Sequence, residues 1–173
     1  MNGLGDTATF TFYIILHFTF ELVRHNMKDN VIKLFLRTSI SLSFLSAVAD
    51  RFGLWSEKYS VWGSWKNFVD YTRVINPWLP EATIGTIAAL ATGAEILFAV
   101  CLLIGYKTQF FANLSGLLLL IFALSMTFST GIKGALDYSV FSASAGAFAL
   151  GLMKNKFFEI DSIITVNSQS IWR

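Results

Sequence analysis

The chain has 173 residues, of which 54% are hydrophobic and only 14% charged, with a formal net charge of +2. Soluble domains usually carry about 25% charged residues, so this composition predicts an integral membrane protein. The small net charge and the scattered basic residues argue against nucleic-acid binding. Cys101 is the only cysteine. An intramolecular disulfide, a two-thiol redox relay and a zinc site of several cysteines are therefore excluded.

An apolar run, "FTFYIILHFTFELV", occupies residues 10–23 near the start of the chain. At about 14 residues it is shorter than the roughly 20 that a membrane-spanning helix needs. It lacks the basic flank and the small-residue cleavage site of a signal peptide. We expect residues 1–29 to be either a helix at the cytoplasmic membrane surface or a non-native extension before a start at Met27. A fifth span is the remaining alternative.

Four later segments approach the length that a helix needs to cross a bilayer. Short links between the later segments force neighbouring helices to run antiparallel. We therefore expect an all-α, up-down four-helix membrane bundle over residues 30–155, with both termini on one side and a tail over 156–173. The predicted spans are 34–54, 84–105, 110–128 and 136–153.

A long loop, residues 55–81, follows the first predicted span and is rich in Trp and Tyr. These side chains favour the membrane–water interface. The stretch "SWKNFVDYTRVI" has its apolar residues at helical spacing, which predicts a short interfacial helix. The prolines of "NPWLP" end it. With this loop discounted, the Lys and Arg residues concentrate on the side of the termini, which predicts that both termini are cytoplasmic.

Glu95 lies in the middle of the second predicted span, in "ALATGAEILFAV". An ionised carboxylate at that depth costs at least about 2.5 kcal/mol, so it is either protonated or paired. An intramembrane acid favours a functional role, which makes Glu95 a candidate ligand or proton site. Thr92 shares its helix face. The alternative is a structural glutamate that only joins two helices by hydrogen bonds.

The first predicted span supplies further candidates for the same site. Ser43 and Asp50 share one helix face, which predicts either a polar-lined cavity shared with the Glu95 helix or a packing seam of small residues. Arg37 lies near the cytoplasmic end of this span. Its side chain can reach inward toward Glu95 or outward to water.

Three ionisable residues lie near the other end of the predicted bundle. Arg51 and Asp137 have matching predicted depths, so we expect them to form an ion pair. Lys133 lies close to Asp137 in the chain. For Arg51, Lys133 and Asp137 we expect structural roles near the membrane interface.

The sequence favours no metal centre. The only histidines, His17 and His25, precede the first predicted span, which argues against a transmembrane haem. No carboxylates and histidines have metal-site spacing, and no glycine-rich phosphate loop or Ser-His-Asp set is present. We therefore expect no metal and no covalently bound cofactor. Any electrons would be handled by a partner subunit or by a diffusible quinone.

The pattern as a whole resembles the DoxX family of small four-span membrane proteins. The resemblance covers about residues 27–153. Its matching ionisable positions are Arg37, Asp50, Arg51, Glu95, Lys133 and Asp137. The stretches that carry it are "LRTSISLSFLSAVADRFGLW", "NFVDYTRVINPWLP", "ATGAEILFAVCLLIGYKTQ" and "SMTFSTGIKGALDYSVFSASAGAFAL".

This resemblance implies a multi-pass protein of a bacterial-type cytoplasmic membrane, whose relatives include subunits of thiosulfate:quinone oxidoreductase. The first hypothesis is a redox-associated subunit that binds a quinone near Glu95, with a partner subunit or as a homodimer. The second is a non-catalytic chaperone or anchor for another membrane protein. A small transporter is a third, and catalytic activity is left open. Fold alone does not decide among them.

Overall fold

The computed structural model describes residues 4–162, with side chains from Met27 onward, and throughout that range the regular elements are α-helices. The expected tail over 156–173 is described only as far as residue 162. The helices are α1 (Leu4–Arg51), α2 (Trp65–Ile75), α3 (Glu81–Ile104), α4 (Thr108–Thr130), α5 (Ile132–Asp137) and α6 (Val140–Leu152).

Helix α1 is continuous for 48 residues, with no interruption at Met27. The expected N-terminal segment, 1–29, is helical from Leu4, and its side chains before Met27 lie outside the described part. The helix ends at Arg51, earlier than the predicted end of the first span at residue 54. The chain turns at Gly53, which has a φ of +68°, a value that glycine adopts without strain.

Among the residues whose side chains are described, three helices are long and apolar enough to cross a membrane: Met27–Arg51, Glu81–Ile104 and Thr108–Thr130. Many of their large apolar side chains point outward: Leu90 is 68% exposed and Phe128 is 75% exposed. Such a surface suits lipid rather than water. The chain is therefore a helical membrane protein.

The fourth predicted span is wrong as a continuous helix over 136–153. The chain breaks at Ser139, which has a φ of 56°, so α5 and α6 are separate helices. Helix α6 has 13 residues, or about 20 Å of rise, which is less than the roughly 30 Å of a bilayer core. A left-handed residue ends helical hydrogen bonding locally, and periodicity does not reveal such a break.

Helix α6 packs closely against α4. Ser144 of α6 donates a hydrogen bond to the carbonyl of Gly116 in α4 at 2.8 Å. A Cβ atom at Gly116 would meet the ring of Phe148 at 2.9 Å, so only glycine allows this approach. The main apolar core joins α1, α3, α4 and α6 through Ile40, Phe44, Ala99, Leu102, Phe111, Ala112, Ala147 and Leu150.

Helix α2 confirms the helix predicted in the first loop. Its N-cap is Ser64, whose hydroxyl accepts the backbone N–H of Asn67, and it ends before Pro77. The helix is amphipathic, and Phe68, Thr72 and Ile75 are buried. Because α2 packs against both α3 and α4, its buried face covers the interior between these helices.

Candidate functional site

A buried ion pair joins the end of α1 to the middle of α3. Nη1 of Arg51 lies 2.5 Å from Oε2 of Glu95, and Nη2 lies 2.9 Å from Oε1. Nη1 also donates to the hydroxyl of Thr92 at 2.7 Å. The two charged side chains are 3% and 2% exposed. This two-point geometry is the strong form of an arginine–carboxylate pair.

The pair lies well inside α3 rather than at either end of that helix. Glu95 lies about 21 Å along α3 from its first residue, Glu81. Arg51 is the last residue of α1, and its side chain meets α3 at the level of Glu95. The remaining outer part of α3 is covered by α2. The polar pair therefore lies inside the protein, beneath α2.

Aromatic rings close the site on the α2 side. The guanidinium carbon of Arg51 lies 3.7 Å from the ring centroid of Phe68 and 5.3 Å from that of Trp62. These two rings pack edge to face, with centroids 5.4 Å apart. Cation–π contact stabilises a desolvated guanidinium. Within the described part of the chain, however, Nε of Arg51 is buried without a hydrogen-bond partner.

Asp50, next to Arg51, holds the loop that carries Trp62. Its carboxylate accepts the backbone N–H groups of Val61 and Trp62, each at 2.9 Å, and the hydroxyl of Ser60. The two adjacent residues at the end of α1 thus have different roles. Arg51 reaches the interior, and Asp50 fixes the loop that covers it.

The predicted site is only partly assembled. Thr92 and Glu95 do share one buried face, and Arg51 joins them. Ser43 is exposed on the outer face of α1, and Asp50 contacts the loop rather than Glu95. The buried residues of α1 in the described part of the chain include Lys33, Arg37, Ile40, Ser41, Phe44, Val48 and Arg51.

Arg37 does not approach Glu95, contrary to the inward alternative. It is 1% exposed and lies at the opposite end of the site's helices, where it joins the end of α3 to the segment after α6. The last carbonyls of a helix lack helical partners, and an arginine satisfies several at once. The carbonyls that accept its N–H groups are those of Leu102, Leu103, Phe157 and Phe158, at 2.9–3.0 Å.

The predicted ion pair between Arg51 and Asp137 is wrong. Asp137 pairs with Lys133, one turn earlier in α5, and these side chains are 59% and 85% exposed. Arg51 pairs instead with Glu95, and its side chain is 3% exposed. Exposed pairs such as that of Lys133 contribute little to stability.

The contribution of Trp62 and Phe68 was not predicted. One signal could have indicated the role of Arg51: it follows Arg37 by two heptads, so both share one face of α1. If that face is buried, both arginines need buried partners, and Glu95 is the acid predicted at the middle of a span. In the described residues, no three His, Cys, Asp or Glu side chains could together hold a metal ion.

The fold and the buried pair define a helical membrane protein with an arginine–glutamate link inside its transmembrane helices. Comparison of the chain with family models, curated proteins and solved structures finds no match.

Proposed function

We propose that this protein is a DoxX-like, redox-associated membrane subunit that binds the headgroup of a quinone, or of a similar lipid-soluble carbonyl compound, beside the Arg51–Glu95 pair. In this proposal α1, α3, α4 and the α5–α6 segment form a four-span bundle. Helix α2 lies at the outer interface, and both termini are cytoplasmic in a bacterial inner membrane.

One observation carries the proposal: Nε of Arg51 is a buried donor without an acceptor in the described part of the chain. A buried N–H without an acceptor costs about 1–3 kcal/mol, so such a donor suits a ligand that brings one. A quinone carbonyl is an acceptor, and its flat ring can pack against Trp62 and Phe68. The position within apolar helices suits a ligand that arrives through the membrane.

The ion pair changes the role first expected for Glu95. Both of its oxygens bind Arg51, so Glu95 does not present a free carboxyl group to a ligand. We assign it instead to holding the guanidinium at a fixed angle. Arg51 then supplies the donor, and Thr92 helps to fix Nη1. The loop held by Asp50 is the element that must move to admit the ligand.

Equilibrium binding of menaquinone and ubiquinone analogues to the purified protein tests the proposal. We expect binding by the wild type and loss of at least tenfold in affinity for Arg51→Lys, which keeps the charge but lacks Nε in that position. The matched control is Arg73→Lys, because Arg73 pairs with Asp70 and Glu81 on the exposed face of α2. No binding by the wild type, or equal binding by Arg51→Lys, would refute the proposal.

A second candidate is a non-catalytic anchoring subunit, and the exposed apolar residues near the loop favour it. Leu54 is 77% exposed, Tyr59 67% and Trp78 54%. In this reading the Arg51–Glu95 pair only joins helices. Co-purification of one stoichiometric membrane partner, lost in Leu54→Ser/Tyr59→Ser but kept in Arg51→Lys, would favour the anchor over the quinone subunit.

A further inference from the structure

A cleft of about 330 Å³ opens at the end of the helices where α3 ends and α4 begins, far from the Arg51–Glu95 pair. Three parts of the chain form it: Lys33 of α1, the first turn of α4, and the segment after α6. Its lining residues are Lys33, Lys107, Thr108, Gln109, Phe110, Lys154, Lys156, Glu159 and Asp161. Four lysines thus face two carboxylates.

Both carboxylates are already engaged by the protein. Glu159 is buried, and its Oε1 lies 2.6 Å from Nζ of Lys33. Asp161 accepts the backbone N–H of Lys107 at 2.7 Å, immediately before α4. Lys107 and Lys154 are exposed, so the cleft has two lysines at its rim.

The first turn of α4 adds donors to this rim. The N–H groups at a helix start have no helical partners and attract anions. Lys107, at the N-cap position, has a φ of 43° and provides no side-chain cap. Thr108 gives an independent indication of a ligand. It is 2% exposed, lines the cleft, and its hydroxyl is buried without a partner in the described part of the chain.

We propose that this cleft binds a phosphate-type anion, with the Thr108 hydroxyl and the start of α4 as donors and Lys107 and Lys154 as counter-charges. The headgroup of an anionic phospholipid is the favoured source. The cleft lies at the end of the candidate spans, where headgroups gather, and Phe110, which is 57% exposed, gives it an apolar edge. A soluble phosphate ester is the other source of the same chemistry.

Thermal stability of the full chain in lipid nanodiscs tests the proposal. Discs of phosphatidylcholine are compared with discs in which phosphatidylglycerol is titrated in, and separately with neutral discs given glycerol phosphate. We expect phosphatidylglycerol to raise the melting temperature. Lys107→Gln/Lys154→Gln should need about 25-fold more of it, because each surface lysine contributes about fivefold. The control Lys66→Gln, at an exposed position in α2, should match the wild type.

Thr108→Val separates binding from folding. It removes a buried hydroxyl without a partner, so it should keep or raise stability in neutral discs while weakening the response to the anion. Stabilisation by glycerol phosphate through the same residues would support the anion site with a soluble source. Equal responses in all variants, or no response to either anion, would overturn the proposal.

Discussion

Removing one partner of the Arg51–Glu95 pair should destabilise the protein far more than removing both. Glu95→Leu leaves a guanidinium at 3% exposure that has, among the described residues, only the Thr92 hydroxyl as an acceptor. Breaking a buried pair in this way costs about 3–5 kcal/mol. Arg51→Met leaves the carboxylate of Glu95 with no guanidinium and should cost a similar amount. Exchange of both for apolar residues of similar size is often neutral, or stabilising by about 1–4 kcal/mol.

The assay is a double-mutant cycle, with the free energy of unfolding measured by denaturant titration in detergent micelles. We expect the double variant Arg51→Met/Glu95→Leu to be more stable than either single variant, with a coupling energy of several kcal/mol. Glu81→Gln is the control: Glu81 pairs with Arg73 at 68% exposure, so it should cost at most about 1 kcal/mol. Single variants near wild-type stability with additive effects would refute the reasoning.

Three further substitutions test separate parts of the structure. Asp50→Asn should lower the free energy of unfolding by about 1–3 kcal/mol, because it weakens the hydrogen bonds that hold the loop over 52–64. It should also speed proteolysis of that loop, and unchanged proteolysis would contradict this. Gly116→Ala should cost about 1–3 kcal/mol by forcing the Phe148 ring away, whereas Gly93→Ala, with open space, should not destabilise the protein in the same unfolding assay. Burial raises the pKa of the Tyr71 phenol above its ordinary value of 10.0. The protonated phenol therefore contributes its full stabilisation of the fold below pH 10.0, and this contribution is lost as the pH rises through the raised pKa. Tyr71→Phe should therefore flatten the fall in melting temperature above pH 10.0, and an equal alkaline fall would contradict the assignment.

Helical periodicity was sufficient to predict the buried face of α3. Thr92 was predicted to share a helix face with Glu95, and both residues are buried. The α2 helix was predicted as well, because its apolar spacing and the following prolines are local signals. These features depend on residues close together in the chain, which sequence patterns report directly.

The partner of Glu95 was not predicted, because it depends on where α1 stops. The predicted first span continues to residue 54 and places Arg51 at the depth of Asp137. Helix α1 ends earlier, at the turn that contains Gly53, and the Asp50 carboxylate fixes the loop that follows. The polar stripe of α1 also misled the prediction, since serines suit both a packed seam and an outer face, and Ser43 takes the outer face.

The fourth span was mispredicted for a different physical reason. Residues 136–153 are apolar enough for one helix, and composition alone shows no interruption. The break depends on the left-handed backbone of Ser139, an uncommon conformation for a residue other than glycine. Packing of α5 and α6 against α4 stabilises this backbone conformation, and such packing cannot be read from a single sequence.

Photo-crosslinking with an azido-quinone tests the central claim most directly, that a quinone headgroup binds beside Arg51, near Trp62 of the loop and Phe68 of α2. Peptide mapping of the labelled protein should place the adduct within 52–75, the segment that carries Trp62 and Phe68. Excess unlabelled menaquinone should abolish that adduct. Labelling spread over the lipid-facing surfaces of α3 and α4, or an adduct that menaquinone does not displace, would contradict the account.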